Sequence, residues 1–150
     1  CLARRLASHF VCRQAAQFVI DQGEQPVSGI GVAPFEINRR HRSAQWSLVL
    51  GDRRFRGADV VLEVSMRLFD WAFYAERIDK LSCRTAATKR FLLSMHERMG
   101  VRREGYLVGE VLLADGSGRQ DEVLFGVLKS DWPAIRANVV AALPHLRNSV

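Results

Sequence analysis

The sequence lacks a long hydrophobic run. No stretch approaches the roughly 20 consecutive apolar residues that a membrane-spanning helix requires. The apolar part of segment 1–12 is also too short for a signal peptide, and the chain begins at Cys1 rather than at a methionine, which suggests processing or truncation. We therefore predict that this protein does not associate with a membrane.

Cysteine is scarce as well. The chain has 3 cysteines, Cys1, Cys12 and Cys83, and this odd number does not suggest a disulfide framework. Its 4 histidines are scattered, at His9, His41, His96 and His145, and share no metal-ligand spacing with one another or with cysteine. We predict a reducing, cytoplasmic setting and no metal site.

Acidic residues are outnumbered, with 16 Asp and Glu against 22 Lys and Arg, which leaves a net charge of +6. The excess is clustered at 39–42, 53–56, 89–90 and 102–103. Such clusters bind the phosphates of a cofactor or a nucleic acid, or they simply lie on solvated loops and helix faces. No nucleic-acid-binding module is recognisable, so nucleic acid is the least favoured partner.

Internal repeats, low-complexity tracts and linkers are also missing, and 150 residues suit one domain, 1–150. The spacing of apolar residues predicts the element order α-β-β-β-α-β-α-β-β-α. The predicted helices are 1–17, 60–78, 87–99 and 132–146, and the predicted strands are 17–21, 27–37, 44–50, 81–85, 105–114 and 121–129. This order indicates a mixed sheet covered by helices.

Particular side chains support two of these helices. The first is predicted from Leu2, Leu6 and Phe10, and the third from an apolar face made of Phe91, Leu92, Met95 and Met99. Gly100 follows the third helix, where a glycine in left-handed conformation commonly ends a helix.

The segment from Ala44 to Asp70 is the most informative part of the chain. It reads as a buried strand, a basic loop containing glycine, and then an amphipathic helix. Free backbone N–H groups and the positive end of the helix dipole both face outward where such a helix begins. The segment therefore predicts an anion site at the start of the helix.

With its flanks, this segment resembles the acetyl-CoA-binding core of the GNAT superfamily of N-acetyltransferases, and especially the branch that acetylates ribosomal-protein N-termini and amino sugars. The resemblance rests on HRSAQWSLVLGDRRFRG (41–57), Glu63, ERMGVRREG (97–105) and LFGVLKSDW (124–132), and covers residues 17–135. It implies an α/β (α+β) fold, with a mixed, largely antiparallel sheet flanked by helices and a shortened N-terminal part.

The resemblance also implies acetyl-CoA as co-substrate, with no metal. The implied binding residues are Leu48 and Leu50, whose strand offers a backbone N–H to the oxyanion, then Arg54, Arg56, Gly57, Ala58 and Asp59 in the pyrophosphate loop, and Lys89, where the family often has asparagine. The chain departs from the family pattern at Asp59 and Val61, which replace a glycine and a small residue. Asp59 adds a carboxylate near the phosphates, where like charges repel.

Two residues are the candidate catalytic groups. His96 lies where the family often has the tyrosine that protonates the departing CoA thiolate, and its other interpretation is a helix-surface histidine beside Glu97. Glu36, at the end of a neighbouring strand, is the candidate general base, and its other interpretation is a solvent-facing glutamate. Gln45 stands where related sequences often have glutamate, and an amide cannot act as a base. Cys83 is predicted to be buried packing.

We predict an acetyl-CoA-dependent N-acetyltransferase that transfers acetyl by direct attack of a primary amine. The acceptor would be an amino sugar, a nucleotide sugar or a protein N-terminus, and therefore a small-molecule or peptide amine. The alternative is a degenerate, non-catalytic GNAT fold that binds a ligand or a protein, which the changes at Asp59, Val61 and Lys89 favour. The sequence leaves a homo-oligomer open.

Overall fold

The computed structural model of the chain describes residues 5–11, 15–21, 31–50 and 57–143. The strands are β1 (Arg5–Val11), β2 (Ala15–Asp21), β3 (Gly31–Asn38), β4 (Ser43–Trp46), β5 (Val49–Leu50), β6 (Lys80–Ala86), β7 (Arg102–Leu112) and β8 (Arg119–Leu128). The helices are α1 (Ala58–Asp70), which continues as a π-helical segment (Trp71–Ala75), α2 (Arg90–Met99) and α3 (Trp132–Ala142).

The strands form one mixed sheet in the order β1-β2-β3-β4-β6-β8-β7, with β5 also paired to β3. Among the described strands only β4 and β6 run parallel, through Ser43 beside Lys80, Ala44 beside Leu81 and Gln45 beside Ser82. The other pairs are antiparallel. The predicted fold class, a mixed and largely antiparallel sheet with helices, is confirmed.

The predicted N-terminal helix over 1–17 is wrong. Residues Arg5–Val11 form strand β1, which pairs antiparallel with β2. Leu2, Leu6 and Phe10 recur at intervals of four, and this interval fits both the helical period of 3.6 and the strand period of 2. The pairing with β2 decided between them, because it supplies backbone hydrogen bonds that the side-chain pattern does not specify.

The other predicted elements are present, with adjusted ends. The predicted strand over 27–37 is described from Gly31, and the predicted end of the last helix beyond 143 lies outside the described residues. The predicted strand over 44–50 is interrupted at Ser47 and Leu48. Gly100 ends α2 with φ of 89°, as predicted, and its N–H donates to the Glu97 carbonyl.

The interruption between β4 and β5 lies opposite a proline of the facing strand. Phe35 pairs with Trp46 and Val32 with Val49, so Pro34 of β3 stands opposite Ser47. Proline has no N–H and cannot donate a bond to a strand ladder. Ser47 and Leu48 make no backbone hydrogen bond within the described part of the chain.

One face of the sheet carries the core. Alternate residues of β4, β6 and β8 are buried in register, namely Ala44, Trp46, Leu81, Cys83, Thr85, Val123, Phe125 and Val127. The helices pack on this face: Phe69 of α1 lies 4.8 Å from Trp46, and His96 of α2 stacks on Phe125 at 4.7 Å, as measured between ring centroids. Trp132 of α3 lies 5.2 Å from Phe69. The described helices therefore share a single face.

The opposite face is polar. It carries Glu36, Gln45, Ser82 and Arg84, and it is crossed by ion pairs from Lys80 to Glu104 and from Arg84 to Glu110. No helix among the described residues is long and apolar enough to cross a membrane.

Asp70, the last residue of α1, connects this helix to α3. Its Oδ1 accepts the indole N–H of Trp132 at 2.8 Å, and both carboxylate oxygens lie 3.1 Å from the Nε of Arg136. Trp132 is only 1% exposed, so its N–H depends on this carboxylate rather than on water.

We expect Asp70→Ala to lower the free energy of unfolding by about 1–3 kcal/mol, because it leaves the buried Trp132 N–H without its acceptor. Urea unfolding followed by tryptophan fluorescence measures the loss. Asp79→Ala, which breaks the exposed ion pair with Arg42, is the control and should cost less than about 1 kcal/mol. Equal losses in the two variants would contradict the assigned role of Asp70.

Candidate functional site

A cleft opens where β4 and β6 separate. The two strands stay paired only as far as Gln45 and Ser82, and the space between them beyond that point is a cavity of about 470 Å³. Its sheet side is lined by Trp46, Ser47, Leu48, Val49, Cys83, Arg84, Thr85 and Ala86. Its helix side is lined by Val61, Lys89, Phe91, Leu92, Met95 and His96.

The structure brings together three of the residues predicted from sequence. Leu48, Lys89 and His96 all line the cleft, although they come from distant parts of the chain. Leu48 lies between β4 and β5, Lys89 directly precedes α2, and His96 lies within α2. Leu50 lies in β5 and pairs through its backbone with Gly31. Arg54 and Arg56 lie outside the described residues. Val61, one of the two departures from the family pattern, also lines the cleft.

His96 is buried, with 7% of its surface exposed, whereas its neighbour Glu97 is exposed. The interpretation of His96 as a surface histidine is therefore wrong. Its Nδ1 lies 2.8 Å from the Leu92 carbonyl, and because a carbonyl only accepts, Nδ1 carries the proton. In the neutral ring Nε2 is then an acceptor. Burial lowers the pKa of His96 below its usual 6.5, because this effect is larger than the rise caused by the hydrogen bond to Leu92.

Cys83 faces the same histidine. Its Sγ lies 3.7 Å from the Nε2 of His96, and the thiol is the donor of this weak contact because Nε2 is unprotonated. Burial raises the pKa of Cys83 to about 12, so the thiol stays protonated at neutral pH. The prediction that Cys83 is buried packing is confirmed.

Gly57, Ala58 and Asp59 form the start of α1. Gly57 is the residue before the helix, with an extended backbone, and its carbonyl accepts the N–H of Val61 at 3.3 Å. A Cβ at position 57 would lie 2.5 Å from the Oδ1 of Asp59. The Asp59 carboxylate therefore lies against Gly57, at the positive end of α1, where an incoming anion would also bind.

A second cavity lies on the polar face of the sheet. It has a volume of about 740 Å³, and among its lining residues are Glu36, Asn38, Arg40, Gln45 and Ser82. Glu36 pairs across the strands with Gln45, which precedes the cleft-lining Trp46. Glu36 and His96 are thus not in one cavity: they lie on opposite faces of the sheet, near the point where β4 and β6 separate.

The basic turn between β3 and β4 is partly neutralised. Arg39 lies 2.6 Å from Glu76, and Arg42 forms an ion pair with Asp79. The Arg42 carbonyl also accepts the Asp79 N–H at 2.6 Å, which holds the turn against the end of the π-helical segment. These arginines are bound to carboxylates of the same chain, so the cluster is less suited to a nucleic acid than its sequence suggests.

Sequence reasoning missed several residues of the cleft. Phe91 was expected to be buried on α2, but it is 59% exposed, while Met95 and Met99 are buried as expected. Phe91 lies in the first turn of α2 and lines the cleft. Cys83 and Met95 were expected only to pack in the core. The strict alternation of Leu81, Cys83 and Thr85 was the signal that could have placed Cys83 opposite the helices.

No protein-family model and no curated protein sequence matches the chain. Solved structures are similar. A crystal structure assigned as an acetyltransferase has a TM-score of 0.74 and 24% identity, covering 85% of this chain and 63% of that one. A chimera of the spermidine N-acetyltransferase SpeG from Vibrio cholerae and hSSAT has a TM-score of 0.72 and 24% identity, covering 81% of this chain and 70% of that one.

A dodecameric structure of the Vibrio cholerae spermidine N-acetyltransferase is also similar, with a TM-score of 0.71 and 24% identity over 80% of this chain and 68% of that one. The chain thus spans less than two thirds of the length of the first of these proteins and slightly more than two thirds of the length of the other two. This likeness shows the fold: the chain has the fold of acetyltransferases of known structure, as the resemblance implied. It singles out no branch among them.

The burial of His96 makes stability depend on pH. Its pKa is lowered in the folded protein and is ordinary, about 6.5, in the unfolded chain, so below that pH the unfolded chain binds a proton that the folded protein does not. The contribution of His96 to the free energy of unfolding is therefore complete above pH 6.5. It falls as the pH drops towards the pKa of His96 in the folded protein, by up to about 1.4 kcal/mol per pH unit.

Urea unfolding at pH 7.5, 6.5, 5.5 and 5.0 measures this dependence. We expect His96→Phe, which can stack on Phe125 in the same place, to flatten the curve between about pH 6.5 and 5. His41→Gln removes an exposed histidine and should leave the curve unchanged. A His96→Phe curve as steep as that of the unaltered protein would contradict the assignment.

Proposed function

We propose that this protein is an acetyl-CoA-dependent N-acetyltransferase that transfers acetyl to a primary amine without a covalent enzyme intermediate. The observation that carries the proposal is the cleft between the diverging parallel strands β4 and β6, with Ser47 and Leu48 on its wall, whose backbone makes no hydrogen bond to another described residue. Such a cleft would hold a thioester beside backbone N–H groups, and both proximity and oxyanion stabilisation lower the barrier to acyl transfer.

The donor arm fits the chemistry of this cleft. A pantetheine arm is slender and carries two amides. The cleft offers apolar walls at Leu48, Val61 and Leu92, and the backbone at 47–48 has no hydrogen-bond partner among the described residues. In the proposed arrangement a backbone N–H near Leu48 and Leu50 stabilises the oxyanion. Lys89 lies on the cleft wall, where it attracts a phosphate of the donor.

The pyrophosphate of the donor would lie at the start of α1. The residues proposed to surround it are Arg54, Arg56, Gly57, Ala58 and Asp59. The arginines and the helix dipole attract the phosphates. Asp59 opposes them, since its carboxylate already lies against Gly57.

The acceptor amine is proposed to approach from the polar face. Its nitrogen lone pair attacks the thioester carbonyl in the gap between β4 and β6, and the proton that it loses passes to Glu36, directly or through water. The carbon–sulfur bond then breaks, and the CoA thiolate takes a proton that Nε2 of His96 has first accepted from water, which returns the ring to its neutral form with the proton on Nδ1. The cavity beside Glu36 supports this direction of approach, because it borders the same pair of strands as the cleft.

The proposed acceptor is a small-molecule or peptide amine, either an amino sugar or nucleotide sugar or a protein N-terminus. Similar structures whose described acceptor is spermidine support an amine in general. One of them is dodecameric, which supports a homo-oligomer of this chain as a further proposal.

A second candidate function is a non-catalytic module of the same fold that binds a ligand or a protein. The carboxylate of Asp59 at the start of α1 favours it, because a negative charge there weakens the attraction for a pyrophosphate. The two functions differ in whether acetyl-CoA binds and whether acetyl leaves it.

Calorimetry of acetyl-CoA binding, with a thermal-shift titration, separates the two. The catalytic proposal predicts a dissociation constant in the micromolar range and a melting temperature that rises with ligand concentration, because a ligand selective for the folded state stabilises it. No binding at millimolar acetyl-CoA would leave the non-catalytic module as the function.

The catalytic roles are tested by steady-state kinetics with an amine found by screening. Because general acid–base groups typically contribute about 10²–10⁴-fold to rate, Glu36→Gln and His96→Phe should each lower kcat at least about tenfold with little change in the KM for acetyl-CoA. Glu97→Gln and His41→Gln remove exposed groups of the same types and are the matched controls. A kcat unchanged in either variant would remove that residue from the mechanism.

A further inference from the structure

The cavity on the polar face of the sheet carries charges of both signs. Among its lining residues, Glu36 is the one carboxylate and Arg39 and Arg40 are the two cations. Arg39 lies 2.6 Å from Glu76, so its charge is compensated within the molecule. Arg40 is exposed, and its side chain makes no ion pair or hydrogen bond with any residue in the described ranges.

The other cations beside this cavity are also compensated. Arg42 forms an ion pair with Asp79, and the Nζ of Lys80 lies 2.8 Å from a carboxylate oxygen of Glu104. Arg40 therefore differs from its neighbours, because its charge has not been used by the fold. A guanidinium group binds a carboxylate or a phosphate through two parallel N–H bonds, so Arg40 can take an acidic group of a ligand.

The turn that carries Arg40 is held on both sides. Before the turn, the Oδ1 of Asn38 accepts the backbone N–H of His41 at 3.1 Å. After it, the Arg42 carbonyl accepts the backbone N–H of Asp79 at 2.6 Å. The backbone around Arg40 is thus fixed against the sheet before a ligand arrives, and such preorganisation lowers the cost of binding.

The floor of the cavity between the two charges is polar and uncharged. Glu36, Gln45 and Ser82 are paired in one row across β3, β4 and β6, so their side chains share a face. Asn38 lies two positions further along β3, about 7 Å from Glu36, and leads into the turn. The cavity therefore offers a proton acceptor at one end, hydrogen-bonding groups along its floor, and the Arg40 cation at the other end.

We propose that the acceptor of this protein carries an acidic group in addition to its primary amine, and that Arg40 is the specificity-determining residue that binds this group. The amine lies at Glu36, and the acidic group, a carboxylate or a phosphate, lies at the turn. The substrate class is an anionic primary amine rather than a polyamine. This inference rests on the proposed function, because it names the acceptor of the same reaction.

The charges of the cavity disfavour a polyamine. A second cation on the acceptor would lie near Arg40, where like charges repel, and Glu36 is the one lining carboxylate that could compensate it. An amine that carries an acidic group instead brings the opposite charge to Arg40. Discrimination between the two classes thus comes from repulsion of one as well as attraction of the other.

Three amines that differ in one terminal group test this inference. They are ε-aminocaproate, aminohexanol and hexamethylenediamine, which end in a negative, a neutral and a positive group. Their extended length, roughly 8 Å, is similar to the distance from Glu36 to Asn38 along β3. At low ionic strength, where exposed charges are least screened, kcat/KM should be at least about fivefold higher for the acid than for the alcohol, and lowest for the diamine.

Arg40 is tested by the ratio of kcat/KM between the acid and the alcohol. In Arg40→Gln this ratio should fall to within about twofold of one, and in Arg40→Glu the diamine should become better than the acid. Arg98→Gln is the matched control, because Arg98 is exposed on α2 and does not line the cavity, and it should keep the original ratio. Thermal unfolding shows whether each variant is folded.

A second pair of amines separates the two acidic groups. Glucosamine and glucosamine 6-phosphate share one amine and differ by the phosphate. A preference for the acid in the linear series alone indicates a carboxylate acceptor, and a preference for the phosphorylated sugar alone indicates a phosphate. Either preference supports the inference if Arg40→Gln removes it.

The outcomes that contradict the inference differ from those that contradict the proposed function. Use of the diamine or the alcohol as well as the acid, or a preference for the acid that survives in Arg40→Gln, would overturn the inference and leave the acetyltransferase proposal standing. If all five amines are refused, the charge of the best acceptor in a wider amine screen decides in the same way. Transfer of acetyl to no amine at all would overturn the proposed function and this inference with it.

Discussion

The short parallel pairing between β4 and β6 is the constraint on which the rest of this structure depends. Among the described strands, three residue pairs join the antiparallel half made of β1 to β5 to the antiparallel half made of β6, β7 and β8. Beyond Gln45 and Ser82 the halves separate, and the aromatic contacts of Trp46, Phe69 and Trp132 hold them together on the helix side. Each such contact contributes roughly 0.5–1.5 kcal/mol beyond the burial of its surface. The cleft is the space that this arrangement leaves open.

The placement of the helices divides the chemistry between two sides of the sheet. The described helices all cover the face that carries His96 and Cys83, and the polar face carries Glu36 and Gln45. A proton acceptor on one face and a titratable group on the other can act on one reaction only where the sheet is open. The gap after Gln45 is such a place, so the separation of β4 from β6 is as important to the proposed mechanism as any single side chain.

Much of the fold could be predicted from the sequence, because the helix and strand patterns from residue 44 onward are long and regular. The run of apolar residues at helical spacing predicted α1, and Gly100 predicted the end of α2. The N-terminal helix was predicted wrongly, because Leu2, Leu6 and Phe10 recur at an interval that suits a strand as well. The candidate site was predicted in part: Leu48, Lys89 and His96 meet in the cleft, whereas the exposure of Phe91 and the burial of His96 were not foreseen.

By itself the sequence determined local features: the strands and helices from residue 44 onward, apart from the interruption at 47–48, and the glycine that ends α2. These depend on neighbouring residues and on the limits of the backbone, so a short stretch of chain is enough to specify them. Only the tertiary structure decided which face of the sheet each candidate residue occupies, the tautomer of His96, and the contact of Asp59 with Gly57. These properties depend on burial and on partners distant in the chain, such as Cys83 and Phe125, and spacing along the sequence does not carry that information.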